Sequence, residues 1–282
     1  MSITVTQWLQ QSEKRLATIS ETPRLDAEVL LGDVLKVARS HFLAWPQQEI
    51  THGELAQLQI LLTQRLAGIP IAYLLNEKEF WRHRFHVTTD TLIPRPETEL
   101  LITCAEALVA NNINPVLADL GTGSGVIALS LAYDLRGSEV IATDRSSKAL
   151  EVAKANAQRL NLHNVRFYQG DWCHALPAIL FDLIISNPPY LTSSEFEANR
   201  AQLQFEPKDA LVSGETGQED LTAIIQTAFN HLKPQGYLLL EHGFAQARLI
   251  QATFTAHGYI EVATLQDLAG HDRVTLGKKP ST

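Results

Sequence analysis

Four consecutive residues, Asn187-Pro188-Pro189-Tyr190, follow the apolar run Phe181-Asp182-Leu183-Ile184-Ile185-Ser186, and their types suit the handling of an NH₂ group. Two successive prolines fix φ and carry no N–H, so the carbonyl oxygens of Asn187 and Pro188 sit in a rigid turn, free of helix and sheet duties. With the Asn187 amide alongside and the Tyr190 ring behind, such a turn can accept both hydrogens of a planar amide or exocyclic amine while an aromatic wall holds its plane. Methylation of such a nitrogen needs that arrangement. The same residues also suit an ordinary proline-rich loop after a strand, so the rest of the chain has to decide.

A second constellation is Asp119-Leu120-Gly121-Thr122-Gly123-Ser124-Gly125, which ends one predicted strand and opens a helix. Glycines in that context let backbone approach a nucleotide-like ligand. The loop resembles that of S-adenosylmethionine-dependent methyltransferases. A dinucleotide fingerprint would need glycine or alanine at position 126, where this chain has Val126. The next strand ends in Asp144, whose carboxylate can accept from both ribose hydroxyls, with Ser146 available to cap the helix that follows. After the third strand come Asp171 and Trp172, suited to hydrogen-bond an adenine amine and cover its face, although a tryptophan there can also be simple packing. The resemblance to such methyltransferases, taken with these residues, implies a cofactor-binding set of Gly121, Thr122, Gly123, Ser124, Gly125, Asp144, Asp171, Trp172 and Asn187.

Strands alternating with helices must position these loops. Val116 to Leu120, Glu139 to Thr143, Val165 to Tyr168 and Phe181 to Ser186 read as strands, with helices from about Gly125 to Tyr133 and Ser146 to Leu160 between the first three. The alternation predicts an α/β fold with an open, mostly parallel sheet covered on both faces. A further strand is expected from Tyr237 to Glu241, and two more near Tyr259 to Thr264 and Arg273 to Leu276 as an antiparallel edge. Residues 1–75 carry helical patterns instead. Trp8, Leu9, Leu16 and Ile19 share one face; Pro23 opens a second helix with Leu25, Val29, Leu30 and Val34. Thr51 and Glu54 form a capping box for a third, with Leu55, Leu58, Leu62 and Leu66 on its apolar face and Gly68 and Pro70 at its end. Residues 76–92 read as a hairpin linker, Glu79-Phe80-Trp81 and Phe85-His86-Val87 joined by Arg82-His83-Arg84, and residues 93–282 as the catalytic domain.

The chain has 282 residues and a formal net charge of −8, which argues against phosphate-backbone binding as its main work. Its two cysteines, Cys104 and Cys173, lie far apart without metal or redox spacing. No stretch approaches a membrane span and the first residues lack a secretory pattern, so a cytoplasmic protein is expected. His83 and His86 have no partner at metal-ligand spacing, and no metal is expected. His242, after the Glu241 strand end, reads as a structural histidine in preference to a base.

Taken with Ile93-Pro94-Arg95-Pro96-Glu97-Thr98-Glu99, Arg65 to Trp81, Glu206-Pro207 to Gly217 and Asp272-Arg273-Val274, these motifs make nearly the whole chain similar to the release-factor glutamine methyltransferase family. Asn-Pro-Pro-Tyr is also found in methyltransferases acting on the adenine amine, so a nucleic-acid substrate and a non-catalytic cofactor-binding module are the alternatives; the Pro-Arg-Pro-Glu segment narrows the resemblance. Asn76 stands where that family often has glycine, and asparagine tolerates φ > 0 well. The resemblance implies a Rossmann-like class I methyltransferase sheet and an N-terminal helical domain that grips the partner. It implies S-adenosylmethionine as methyl donor and the glutamine of a Gly-Gly-Gln loop in peptide-chain release factors as acceptor. Asn187, Pro188 and Tyr190 would then be catalytic, and Asn187 to Tyr190 would hold the glutamine. Arg95 and Glu97 would lie near the donor's methionine end or cap the helix beginning at Pro96. An amide lone pair is delocalised, so orientation toward the methyl group is the main requirement, and positioning of this kind is worth up to roughly 7–11 kcal/mol without an obligatory general base.

Overall fold

Local signals in the first part of the chain produce the expected helices, with small differences at their ends. The structure, a computed structural model, describes residues 3–281, and the chain separates into two units, Met1–Glu77 and Lys78–Thr282. In the first, a helix over Val5–Leu16 opens on a Thr4/Gln7 capping box and buries Val5, Trp8, Leu9 and Leu16. It ends before Ile19, which is left 40% exposed, because the N–H groups of Ile19 and Ser20 both turn back to the Leu16 carbonyl. Pro23 stands at the first position of the Pro23–Leu35 helix, but Leu25 is 38% exposed while Ala27, Leu30 and Leu31 supply the buried face. The Thr51/Glu54 box opens the His52–Leu66 helix as read, and Arg65 from its last turn pairs with Asp26 at 2.8 Å. Two short strands unforeseen in the sequence, β1 (Ile3–Thr4) and β2 (Glu49–Ile50), pair antiparallel; two residues are too few to show a period. Asn76, at φ 52°, closes the Ile71–Leu75 helix in the left-handed region.

The hairpin is β3 (Glu77–Phe80) and β4 (His83–His86), so its turn is Trp81-Arg82 and not the expected basic triplet. Anchoring explains the shift: Trp81 donates its backbone N–H to Glu99 at 2.8 Å and its indole N–H to Asp134 at 2.7 Å. Phe80 and Phe85 are buried with Leu101, Ile102 and Leu129.

The second unit is organised by a seven-stranded sheet. Its strands are β5 (Val116–Leu120), β6 (Glu139–Asp144), β7 (Val165–Gln169), β8 (Phe181–Ser186), β9 (Leu232–Glu241), β10 (Ile260–Gln266) and β11 (Asp272–Lys278), in the order β10-β11-β9-β8-β5-β6-β7. The five strands β9-β8-β5-β6-β7 run parallel, and β11 and β10 add an antiparallel edge. Strand β9 begins five residues earlier than expected, and the register jump from Phe181–Leu232 to Leu183–Tyr237 absorbs the extra chain. Helices Glu99–Val109 and Val126–Asp134 contribute to the core on one face of the sheet, and Glu219–His231 and Ala247–Ala256 to the core on the other. Burial on both faces explains why β8 reads as an almost continuous apolar run. Its exception, Asp182, accepts from the Val116 N–H at 2.8 Å and from Lys233 at 2.7 Å.

Candidate active site

Strand order reverses between β5 and β8, and in open α/β sheets the crevice beyond the carboxyl ends at such a point is where ligands bind. The sequence places a chemistry-bearing loop at each of those ends: the glycine loop after β5, Asp144 at the end of β6, Asp171-Trp172 after β7 and Asn187 after β8. A cavity of about 230 Å³ opens there, walled by Gly121, Gly123, Asp144, Asp171, Trp172 and Asn187 among others. A second, of about 170 Å³, is lined by Arg95, Asn187, Pro188, Pro189, Tyr190 and Leu203 among others. Asn187 and Pro189 border both.

The glycine loop shows why its residue types are needed. Gly121 has φ 70°, and a Cβ there would lie 2.9 Å from the Trp172 ring, so only glycine lets the indole close over the loop. Gly123 has φ 56°, and no atom lies within 4 Å of where its Cβ would be; a side chain there would occupy the cavity. The three remaining loop residues assigned to the cofactor, Thr122, Ser124 and Gly125, do not reach the cavity wall. Thr122 is buried and spends its hydroxyl on Asp119 at 2.6 Å. Ser124 is buried and its carbonyl accepts from Asn156 at 2.9 Å. Gly125 opens the following helix. Thr122 and Ser124, alternating with Gly121 and Gly123, brace the loop from beneath, and Gly125 packs close to Leu129 and Ala153.

Asp144 Oδ2 accepts from the Gly123 N–H at 2.9 Å and Oδ1 from the Ser146 N–H at 2.8 Å. Burial nevertheless pushes its pKa up, the two backbone N–H groups acting against that rise. Ser146 caps the next helix through the Ala149 N–H, so Asp144 is not required as the cap. Trp172 is held by an indole N–H bond to Asp220 at 3.1 Å, and both residues line the first cavity. Beneath the loop Asp119 is fully buried, its pKa pushed to about 7 by desolvation, while hydrogen bonds from Thr122 and the Ala128 N–H oppose the rise.

Around the proline turn, Asn187 donates its amide N–H to the Thr98 hydroxyl at 3.0 Å, which leaves Oδ1 for other partners. Tyr190 is largely buried and its phenol is pushed to about 12, chiefly by burial. The wall of the second cavity is completed by a loop that pairs back on the turn: the Leu191 N–H donates to the Leu211 carbonyl at 3.0 Å, and the Ser213 N–H to the Leu191 carbonyl at 2.9 Å. Arg95 lines this second cavity rather than the first and forms an ion pair with buried Glu206, whose other oxygen accepts from the Ile93 N–H at 3.0 Å. Arg95 stands at the N-cap position of the helical turn Pro96–Thr98, where its carbonyl accepts from the Thr98 N–H at 3.1 Å, but its side chain makes no cap hydrogen bond. His242 is buried between the Gly243 carbonyl and the Thr275 hydroxyl, at 2.9 and 2.8 Å, as a structural histidine would be. Among the described residues, no three His, Cys, Asp or Glu side chains are grouped to hold a metal ion.

Sequence reasoning missed Thr98, Asn156, Glu206, Asp220 and Glu241. Thr98 lies inside the Ile93 to Glu99 motif, whose pattern gives it no role, and Glu241 reads only as a strand end. Asn156 brackets the backbone of His86 through two side-chain bonds, a tie across 70 residues that no local pattern announces, and donates to the Ser124 carbonyl as well.

Residues 114–271 match a family described as Methyltransferase domain, and residues 7–75 one described as PrmC N-terminal domain. The chain is 43% identical over 280 residues to a release factor glutamine methyltransferase of Vibrio cholerae, covering 99% of this chain and 98% of that one. It is 41% identical over 271 residues to a protein of the same name from Escherichia coli, covering 96% and 97%. Among solved structures, the hMettl16 catalytic domain in complex with MAT2A 3'UTR hairpin 6 aligns with a TM-score of 0.57 at 17% identity, over 70% of this chain and 75% of that one; this likeness concerns the fold alone.

Proposed function

This chain belongs to the release factor glutamine methyltransferase family, and from that premise we propose that it moves a methyl group from S-adenosylmethionine to the side-chain amide nitrogen of the Gly-Gly-Gln glutamine in peptide-chain release factors. The single observation that carries the reading is that Asn187 and Pro189 border both cavities, so a group held by the proline turn in one lies next to a ligand held by the glycine loop in the other.

The residues present fit the methyl donor. The open space at Gly123, the acidic side chain of Asp144 beside it and the Trp172 ring suit a ribose and an aromatic base. When bound, S-adenosylmethionine supplies an electrophilic methyl group. Asp144 would accept from the ribose hydroxyls, Asp171 from the adenine amine, and Trp172 would cover the base.

On the acceptor side, the Asn187 Oδ1 and the Pro188 carbonyl would receive the two hydrogens of the glutamine amide, raising electron density on its nitrogen and directing its lone pair across the junction. Tyr190, neutral far above physiological pH, serves as a wall and not as a base. Once the nitrogen has gained its methyl group it becomes acidic, so its proton can leave afterwards without a dedicated base. The proposal extends to the domain scheme: residues 1–75 grip the release factor, 76–92 link, and 93–282 carry out the transfer. No helix among the described residues is long and apolar enough to cross a membrane, and we place the enzyme with its partners in the cytoplasm.

Incubation with a release factor and S-adenosylmethionine, followed by mass spectrometry of the Gly-Gly-Gln peptide, tests the reading. The expected result is a mass gain of one methylene confined to the glutamine. A gain on another residue, or on adenine in nucleic acid, overturns the substrate.

A further inference from the structure

Glu241 is the last residue of β9, one position beyond Leu240, which is paired with Ser186, so the parallel register sets it beside Asn187. It is 1% exposed, and its Oε2 meets no hydrogen-bond partner, an expensive placement for a carboxyl group. The side chains of Thr98 and Asn187 stand near enough to favour its charged form, against the larger effect of burial. Thr98 is itself buried and accepts from Asn187 Nδ2 at 3.0 Å, which leaves its hydroxyl proton for the carboxylate.

The two ends of an asparagine amide are alike in shape, and what lies behind the group decides which end faces a ligand. An ionised carboxylate only accepts. Set behind Asn187 and Thr98, it draws the NH₂ end inward and turns Oδ1 toward the junction of the two cavities. We propose that Glu241 is a positioning residue that, with Thr98, fixes the Asn187 amide so that its oxygen, and not its nitrogen, meets the glutamine NH₂. This rests on the reading of Asn187 as the holder of that amide.

A neutral carboxyl could donate as well as accept and would release the constraint. Burial raises Glu241 to about 7, with Thr98, Arg273 and Asn187 acting against the rise and Glu97 adding to it. Tyr190 also faces it, as an uncharged phenol, while His242, the next residue, is engaged by Gly243 and Thr275. Turnover is therefore expected to fall on the acid side as Glu241 takes up its proton.

The test compares wild type, Glu241→Gln, Thr98→Val and the double variant, using a release factor over about pH 6 to 9, with cofactor affinity measured by calorimetry. Each single variant is expected to lower kcat at pH 8 by about tenfold or more, with cofactor Kd changed by less than about threefold, a tenfold change being about 1.4 kcal/mol. The double variant is expected to be no slower than the slower single one, and the acid-side loss of kcat to be absent in Glu241→Gln. Wild-type kcat in either single variant overturns the proposal, as do additive losses or a kcat loss that follows cofactor affinity. Should Glu241→Gln not fold, Thr98→Val decides by the same criterion. Asn187→Ala separates the two readings: if it is inactive while Glu241→Gln is fully active, only the positioning role fails; if it is active, the reading of Asn187 itself falls.

Discussion

Asp144 Oδ2 accepts a hydrogen bond from the backbone N–H of Gly123 at 2.9 Å, fastening the end of β6 to the loop that follows β5. The carboxylate thus shapes the loop as well as offering oxygens to a ligand. Asp144→Ala removes both contributions. Hydrogen bonds to charged groups are worth about 1.5–3 kcal/mol, so cofactor Kd is expected to rise by about ten- to a hundredfold, read by calorimetry. An unchanged Kd would count against the ribose assignment.

Gly121→Ala should cost stability and cofactor affinity together. The added Cβ would lie 2.9 Å from the Trp172 ring at a residue whose φ is 70°. Backbone strain of this kind costs of order 1–3 kcal/mol, which for a chain of this size is a fall in Tm of several degrees. The thermal transition, followed by tryptophan fluorescence, checks it; an unaltered Tm would mean that the indole moves aside freely.

Asn187→Ala separates binding from transfer. In the proposed mode the side chain meets the acceptor through Oδ1, while its nitrogen is held by Thr98. Single-turnover transfer is expected to drop by about a hundredfold or more, the scale seen when one preorganised hydrogen-bonding group is removed, while cofactor Kd changes much less. Rapid-quench kinetics beside calorimetry distinguishes the outcomes, and retained transfer removes Asn187 from the mechanism.

Asp119 offers a test by pH. Its folded pKa is about 7 against an ordinary 3.8, so the native state keeps a proton that the unfolded chain releases. The resulting stabilisation is complete below the ordinary value and is lost as pH rises toward and through about 7. Asp119→Asn, permanently neutral, escapes this loss. Its Tm relative to wild type should therefore climb between about pH 4 and pH 8. A difference that stays constant with pH would show that Asp119 is ionised in the native state throughout.

Arg95→Ala should leave Glu206 buried without its cation. Breaking a fully buried pair costs 3–5 kcal/mol; the arginine is partly exposed, so about 1–3 kcal/mol is expected, measured by denaturant unfolding. Because both residues brace the Ile93 to Arg95 segment beside the second cavity, KM for the release factor should rise more than cofactor Kd.

The sequence by itself determined the elements and the chemistry carried at their ends. Period and turn chemistry are local, so Gly121 to Gly125, Asp144, Trp172 and Asn187 could be assigned to successive strand ends, and the Thr51 and Ser146 caps could be read directly. Tertiary structure decided which loop residues face the cavity. Gly121 and Gly123 do so while Thr122, Ser124 and Gly125 turn inward, because the direction of each residue in a tight loop depends on Asp119, Trp172 and Asn156, which arrive from elsewhere in the chain. It also decided what stands behind Asn187. Thr98, 89 residues away, reaches Asn187 through a hydrogen bond, and Glu241 is brought alongside by the parallel register of β8 and β9; no pattern in a linear window records a contact made by folding.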